Sequence, residues 1–308
     1  KNGSSDGGAG GSGKNADDAE VEAEYEEGLA LTTITPELTD ATTDGLVGSS
    51  VQDEGSNNGS SADIEFDHLF VRYRDDLPNV IKGLTAKVEG GIKIGVVGRT
   101  GSGKSSLLLA LSRLNEVCGG EIRIRGKAHT SMPLPELRKL VSVIPQDPHL
   151  FSGTIRFNLD PFDEFEDPQL WSCLESVQLK ALVSAHPLKL SMSVEEGGVD
   201  MSHGQRQLLC IARAMLHRRP ISVIDEATAS VDYETDQAIQ KVLRDASAFS
   251  GSTRIVIAHR MDTILDADMV LVLDDGQLAE QGSPEELLKI NGGVFAGMVA
   301  RAKATGAL

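Results

Sequence analysis

Apolar residues are distributed unevenly along the 308-residue chain. From residue 1 to about 60 they show no sustained period among Gly, Ser, Asp, Glu and Thr. Such a stretch cannot bury enough surface to offset its conformational entropy, and it reads as a disordered, acidic, Gly/Ser-rich linker. Order begins near Asp63. Ile64, Phe66, Leu69 and Val71 sit among polar residues as the inward positions of a half-buried strand, and Leu84 to Val88, before the Glu89-Gly90-Gly91 turn, read as its hairpin partner. The unbroken run Ile92 to Val97 predicts a fully buried strand, Ser106 to Leu111 a helix, and Glu121 to Arg125 a further strand.

From about Pro133 to Leu216 the period changes. Val141 to Pro145 is a short strand, whereas Thr154 to Asn158, Pro168 to Leu179 and Gly204 to Leu216 carry helical spacing punctuated by Pro and Gly. This region, about 133–216, is expected to be a helical insertion in an α/β core. Strands return at Ile221 to Asp225, Arg254 to Ala258, Met269 to Leu273 and Gly276 to Glu280. Helices are predicted at Glu234 to Asp245, Pro284 to Ile290 and Val294 to Ala302. Alternating β and α elements imply a mostly parallel sheet covered on both faces, and so an α/β fold over residues 61–308.

Composition narrows this picture in three ways. The net charge of -17 is concentrated in the first 60 residues, where thirteen acids face only Lys1 and Lys14; six net negative charges remain for the rest. Neither part has the basic balance of a nucleic-acid binder. Cys118, Cys173 and Cys210 are odd in number and far apart, which argues against a disulfide framework or zinc site and for a reducing compartment. No run of 18 apolar residues occurs, so no membrane span or secretion signal is expected within these residues, and a start at Lys1 suits a piece of a longer protein.

The strongest chemical signal is Gly98-Arg99-Thr100-Gly101-Ser102-Gly103-Lys104-Ser105, placed between a buried strand and the helix that begins with Ser106. A Gly-rich turn opening a helix directs successive N–H groups at one point, and a polyphosphate is the anion that fits. Lys104 would reach the β- and γ-phosphates and the Ser105 hydroxyl would ligate Mg²⁺. Ligands in such sheets gather at the carboxyl ends of the strands, and Gly98, Gln146, Asp225 and His259 each follow one. Asp225 suits Mg²⁺, and Glu226 beside it is free to orient or deprotonate water, although adjacent carboxylates also suit a solvated turn. Tyr73, just past the first strand, offers a ring for a base or simply for packing. Ser202 and Gly204 precede a helix, where they would serve an anion or act as a plain N-cap.

Together these segments resemble the nucleotide-binding domain of an ABC transporter, over roughly residues 63 to 305: Walker A at Gly98 to Ser105, Q-loop Gln146, signature Ser202-His203-Gly204-Gln205, Walker B ending at Asp225 with Glu226, D-loop Ser230-Val231-Asp232 and switch His259. Val71-Arg72-Tyr73-Arg74, Ile144 to Thr154, Asn158 to Phe162 and Gly204 to Leu208 resemble the second such domain of subfamily C, the multidrug resistance-associated proteins. The resemblance implies a P-loop ATPase core with an antiparallel β subdomain and a helical signature subdomain. It implies ATP and Mg²⁺ as ligands, with Ser105, Gln146 and Asp225 at the metal, Glu226, Gln146 and His259 in catalysis, and Tyr73 under adenine. It also implies a head-to-tail dimer with the transporter's first nucleotide-binding domain, and transmembrane domains that provide the only membrane contact, at its cytosolic face.

Two positions depart from the family pattern. Met201 replaces leucine, a volume-conserving change expected to be mild. His203 replaces glycine, and a side chain there is expected to crowd the partner's γ-phosphate, so that the site receiving this signature binds ATP and turns it over slowly. An exporter of organic anions, conjugates or drugs is the leading reading. A nucleotide-sensing domain of a subfamily C channel or regulator is the alternative, and a soluble ABC-type ATPase lacks the long heptad arms and basic patches it would need.

Overall fold

The computed structural model describes residues 62–225, 231, 233–245, 249–257, 260–306 and 308. The linker assignment for residues 1–60 and the expected roles of Glu226, Asp232 and His259 lie outside the described residues.

Strand β1 (Ala62–Val71) pairs antiparallel with β2 (Ile81–Glu89) on one side and β4 (Val117–Ile124) on the other; β5 (Lys127–Ala128) completes a four-stranded sheet in the order β2-β1-β4-β5. The expected alternation breaks between Phe66 and Leu69, three residues apart, because β1 carries a bulge there: the register shifts on both neighbours and His68 takes φ 48°. An extra residue in one strand restores Leu69 and Val71 to the inner face. Opposite the bulge, Gly120 sits at φ 74°, where a Cβ would strike the carbonyls of Asp67 and His68. Glycines that serve this close approach read as a turn in sequence, so the observed β4 starts four residues before the expected Glu121.

The second sheet is six-stranded, in the order β12-β11-β3-β10-β9-β6. Strands β3 (Lys93–Gly98), β6 (Val141–Ile144), β9 (Ile221–Asp225), β10 (Thr253–Ile257) and β11 (Met269–Asp274) are parallel, and β12 (Gln277–Gly282) closes the edge antiparallel. Its residues alternate between two faces, one packed on a single hydrophobic body and the other on two. Ile94 and Val96, Leu271 and Leu273, Ile255 and Ile257, and Val141 and Val143 join β1, β2, β4 and helix α1 (Lys104–Leu111). Val97, Val270 and Val272 face α8 (Met261–Leu265), α9 (Pro284–Leu287) and α10 (Val294–Ala304), while Ile144, Ile224 and Val256 face the helical region. Burial on both faces is why these strands read as unbroken apolar runs.

Between β6 and β9 lie a two-stranded ribbon, β7 (Gly153–Thr154) with β8 (Ser193–Val194), and helices α3 (Ile155–Leu159), α4 (Asp167–Ser176), α5 (Lys180–Ala185) and α6 (His203–His217). Helix α2 (Leu134–Leu140) and β6 precede them, and helix α7 (Tyr233–Arg244) lies between β9 and β10. The expected start of the insertion near Pro133 moves: β6 is hydrogen-bonded to β9 and Leu137, Val141 and Val143 pack in the main core, so the helical part begins after Pro145. Its centre is α6, whose buried face includes Leu208, Leu209, Ile211 and Ala212; α4 packs on it, and the Cys173 thiol of α4 donates to the Ala212 carbonyl at 3.1 Å. Burial pushes the Cys173 thiol up to about 12 and raises the fully enclosed Cys210 as well, so both behave as apolar packing groups rather than nucleophiles.

Candidate functional site

Parallel register sets the site. Gly98 at the end of β3 pairs with Leu273, Val96 with Ile257, Ile257 with Asp225, and Ile224 with Ile144. The carboxyl ends of β3, β10, β9 and β6 therefore lie side by side, bringing the glycine-rich loop, Asp225 and Gln146 to one edge. Asp225 is 2 % exposed at the last position of β9, whereas Gln146 is exposed just beyond β6.

The loop itself is shaped by Gly103, the N-cap of α1, at φ 99°. A Cβ there would lie 2.6 Å from Ile81 Cδ1, so both backbone angle and packing require glycine. Arg99, Thr100, Gly101 and Ser105 face solvent, while Ser102 and Lys104 are buried. The Lys104 ammonium curls over the loop and donates to the carbonyls of Gly98 at 3.0 Å and Arg99 at 3.1 Å. Ser102 Oγ is enclosed and has no hydrogen-bond partner among the described residues. Helix α1 has no side-chain cap and no acidic residue in its first turn, so its leading N–H groups and positive dipole end face the loop. An enclosed hydroxyl, a cation and a ring of amides form a donor set for a polyphosphate. Tyr73 is half-buried against the main core and its hydroxyl lies 2.7 Å from Ser106 Oγ, which fixes the ring beside the first turn of α1.

For Mg²⁺, the Ser105 hydroxyl and the Asp225 carboxylate, with Gln146 on the same edge, are hard oxygen donors of the type this ion takes alongside phosphate and water. Among the described residues no group of three or more His, Cys, Asp or Glu is placed to hold a metal by itself. The side chains thus fit a cation shared with a phosphorylated ligand.

The Ser202 to Gln205 segment opens α6. Ser202 Oγ accepts from the Gln205 amide at 3.2 Å, and Gln205 Oε1 accepts from the Ser202 amide at 3.0 Å: a full capping box. The Ser202 hydroxyl is exposed and keeps its own proton to donate. Met201 is buried in the helical core, the environment its apolar side chain suits. A Cβ on Gly204 would run into the side chains of Thr235 and Val231, so the α6 backbone at Gly204 packs directly against these two side chains. His203 turns its ring toward its own chain, with Nε2 3.4 Å from Asp147 Oδ1. Two residues that the sequence motifs include without a role of their own also sit here: Asp147, and Gln207, which is fully buried and donates from Nε2 to the Pro145 carbonyl at 3.1 Å. Gln207 lies one helical turn from His203, and that i, i+4 spacing was the available signal.

A parallel sheet with a phosphate-binding loop, an antiparallel β layer and a helical lobe opening on a capped serine defines an ABC-type ATPase domain. The profile of the ABC transporter family matches residues 81–229, and with the relatives that follow this is consistent with an ABC nucleotide-binding domain resembling those of subfamily C. It is 50 % identical over 233 residues to rat and to human ATP-binding cassette sub-family C member 2, and 49 % identical over 235 residues to rat sub-family C member 3. Each match covers 76 % of this chain and 15 % of the relative. A bacterial Atm1-family ABC exporter solved with ATP bound superposes with a TM-score of 0.72 at 33 % identity, over 79 % of this chain and 42 % of the exporter. The chain thus spans less than a sixth of the length of those curated relatives. Among the described residues no helix is long and apolar enough to cross a membrane.

Proposed function

We propose that this chain is the ATP-binding and ATP-hydrolysing module of a subfamily C type exporter, working at the cytosolic face of a membrane against the first nucleotide-binding domain of the same transporter. The observation that supports it most is the single sheet edge carrying the loop, Asp225 and Gln146. Lys104 and the α1 amides bind the phosphates, and the Tyr73 ring stacks on the base. Glu226 accepts a proton from the water that attacks the γ-phosphorus as the bond to the departing ADP oxygen breaks, and His259 contacts the γ-phosphate. Ser105 and Asp225, with Gln146, would hold Mg²⁺, which when bound neutralises charge on the phosphate oxygens. Ser202 and Gly204 present their donors to nucleotide held by the other domain, so that binding closes the pair and hydrolysis releases it. The transmembrane domains carry the transported organic anion, conjugate or drug.

The test is Mg²⁺-dependent retention of ATP by the purified chain, followed by turnover after mixing with the first nucleotide-binding domain. Glu226→Gln is expected to bind ATP as the parent does and to stop turnover. A folded chain that retains no ATP in the presence of Mg²⁺ defeats the proposal.

A further inference from the structure

Helix α6 is joined to the segment after β6 along one of its faces. At positions i, i+4 and i+7, three α6 side chains reach three alternate residues of that segment. His203 Nε2 lies 3.4 Å from Asp147 Oδ1, Gln207 Nε2 donates to the Pro145 carbonyl at 3.1 Å, and the Cys210 thiol donates to the His149 carbonyl at 3.8 Å. Gln207 and Cys210 are buried, so the lower two links are enclosed, while His203 and Asp147 sit at the mouth. Gln146, on the sheet edge with the loop, is flanked by two of these links. The seam is under-satisfied: His203 Nδ1 and Gln207 Oε1 are both enclosed without a hydrogen-bond partner among the described residues. A polar seam with unfilled valences costs less to part and remake than a fully bonded one.

We propose that His203 is a positioning residue, a strut that transmits the placement of Gln146 and Asp147 to the Ser202-Gly204 end of α6. The inference rests on the nucleotide-binding reading above and goes beyond it by naming the side-chain contact, His203 to Asp147, through which the segment after β6 sets how this chain presents its signature. It also changes the expectation for His203. The ring contacts its own chain, so its removal would loosen the signature rather than relieve a steric block on the partner's phosphate.

Hydrogen exchange of the whole chain, read at residues 145–151 and 199–206, tests this with and without Mg²⁺-ATP. His203→Ala and Asp147→Ala are each expected to raise exchange in both segments about fivefold, the size of a modest coupling between contacting residues. The double variant should go no further, and His203→Gln, which keeps a donor at similar reach, should stay near wild type. With nucleotide, protection at 145–151 should spread to 199–206 in the wild type and in His203→Gln but not in His203→Ala, a difference that a purely structural loss would not produce. Additive effects, effects confined to the substituted segment, or spreading that survives His203→Ala would overturn the strut. If the wild-type chain retains no ATP, the nucleotide reading fails separately, and additivity in the nucleotide-free chain still decides for or against the strut.

Discussion

Helix α1 starts at Gly103, with a left-handed backbone, no capping side chain and no acid in its first turn; helix α6 starts at Ser202, whose hydroxyl and Gln205 partner satisfy two amides reciprocally. Both ends carry the positive pole of a helix dipole, and the function proposed above places both near phosphate. They are nevertheless prepared in opposite ways. The α1 end has no side chain capping its leading amides and adds the Lys104 ammonium, so it is the candidate anion site. The α6 end is already hydrogen-bonded, so what it can offer is the hydroxyl proton of Ser202 and the amides nearest it. That arrangement gives a stable helix start, which in the function proposed above contributes the second face of a site assembled from two domains.

Removing the charge at the first end should have the largest effect. Lys104→Ala is expected to weaken ATP binding by about 2 to 5 kcal/mol, roughly thirtyfold or more in Kd, the cost of deleting one member of a buried charge pair. Its bonds to loop carbonyls also hold the loop in shape, so a smaller loss of melting temperature should accompany the loss of binding. Equilibrium binding of a fluorescent ATP analogue measures the first and a thermal melt the second. Unchanged affinity would mean that α1 binds phosphate without its lysine, and the contrast between the two ends would shrink.

Next in size is Gly103→Ala. The new methyl meets Ile81 Cδ1 and holds an L-residue at φ 99°, so about 1 to 3 kcal/mol of stability should be lost. Chemical denaturation reads this directly. A variant as stable as the parent would show that the loop can relax around a side chain. Ser202→Ala should cost about 1 kcal/mol, the usual worth of an N-cap. It should leave ATP affinity of the isolated chain intact, because in the function proposed above this serine serves the other domain. A large loss of the chain's own ATP binding would instead join the two ends into one site.

Much of this contrast can be read from the residues. The run from Ile92 through Gly103 to Leu111 is local: strand, turn and helix adjoin in sequence, and their chemistry is carried by neighbours. The convergence of Gly98, Asp225 and Gln146 follows from strands buried on both faces, which announce themselves as apolar runs. Contacts made across long separations leave no such period. The β7–β8 ribbon joins Gly153 to Val194 with two residues a side, too short for any alternation. Helix α8 spans five residues. Strand β6 is only four residues long and is flanked by helical spacing, so its membership of the main sheet depends on pairing with Ile221 to Ile224, which no local pattern encodes. The direction of the His203 ring depends on Asp147, 56 positions earlier, and a glycine-to-histidine change alone does not reveal which side the ring takes.

The smallest expected effect separates the far ends of the same two helices, which meet a buried histidine, His129, and a half-buried one, His217. His129 Nε2 donates to the Ala110 carbonyl at 3.2 Å in the last turn of α1, and His217 Nε2, at the end of α6, donates to the Leu159 carbonyl at 3.3 Å. Burial is the main force holding both below the ordinary imidazole range, with Arg113 adding to it at His129 and Arg219 at His217. At His217 this prevails over the helix C-terminus and Glu164, which favour the charged ring. The sign follows from linkage: the unfolded chain takes up protons first as pH falls below about 6.5, so stability from these rings is complete above that value and declines toward the lowered folded pKa values. Urea midpoints should therefore drop between pH 7.5 and 5.5, and the drop should be smaller in His129→Asn and in His217→Asn. His217 has a carboxylate 3.7 Å from Nδ1 and His129 Nδ1 has no partner among the described residues, so the α1 histidine should account for the larger share. Equal slopes in wild type and both variants would show that neither helix end is held by a neutral imidazole.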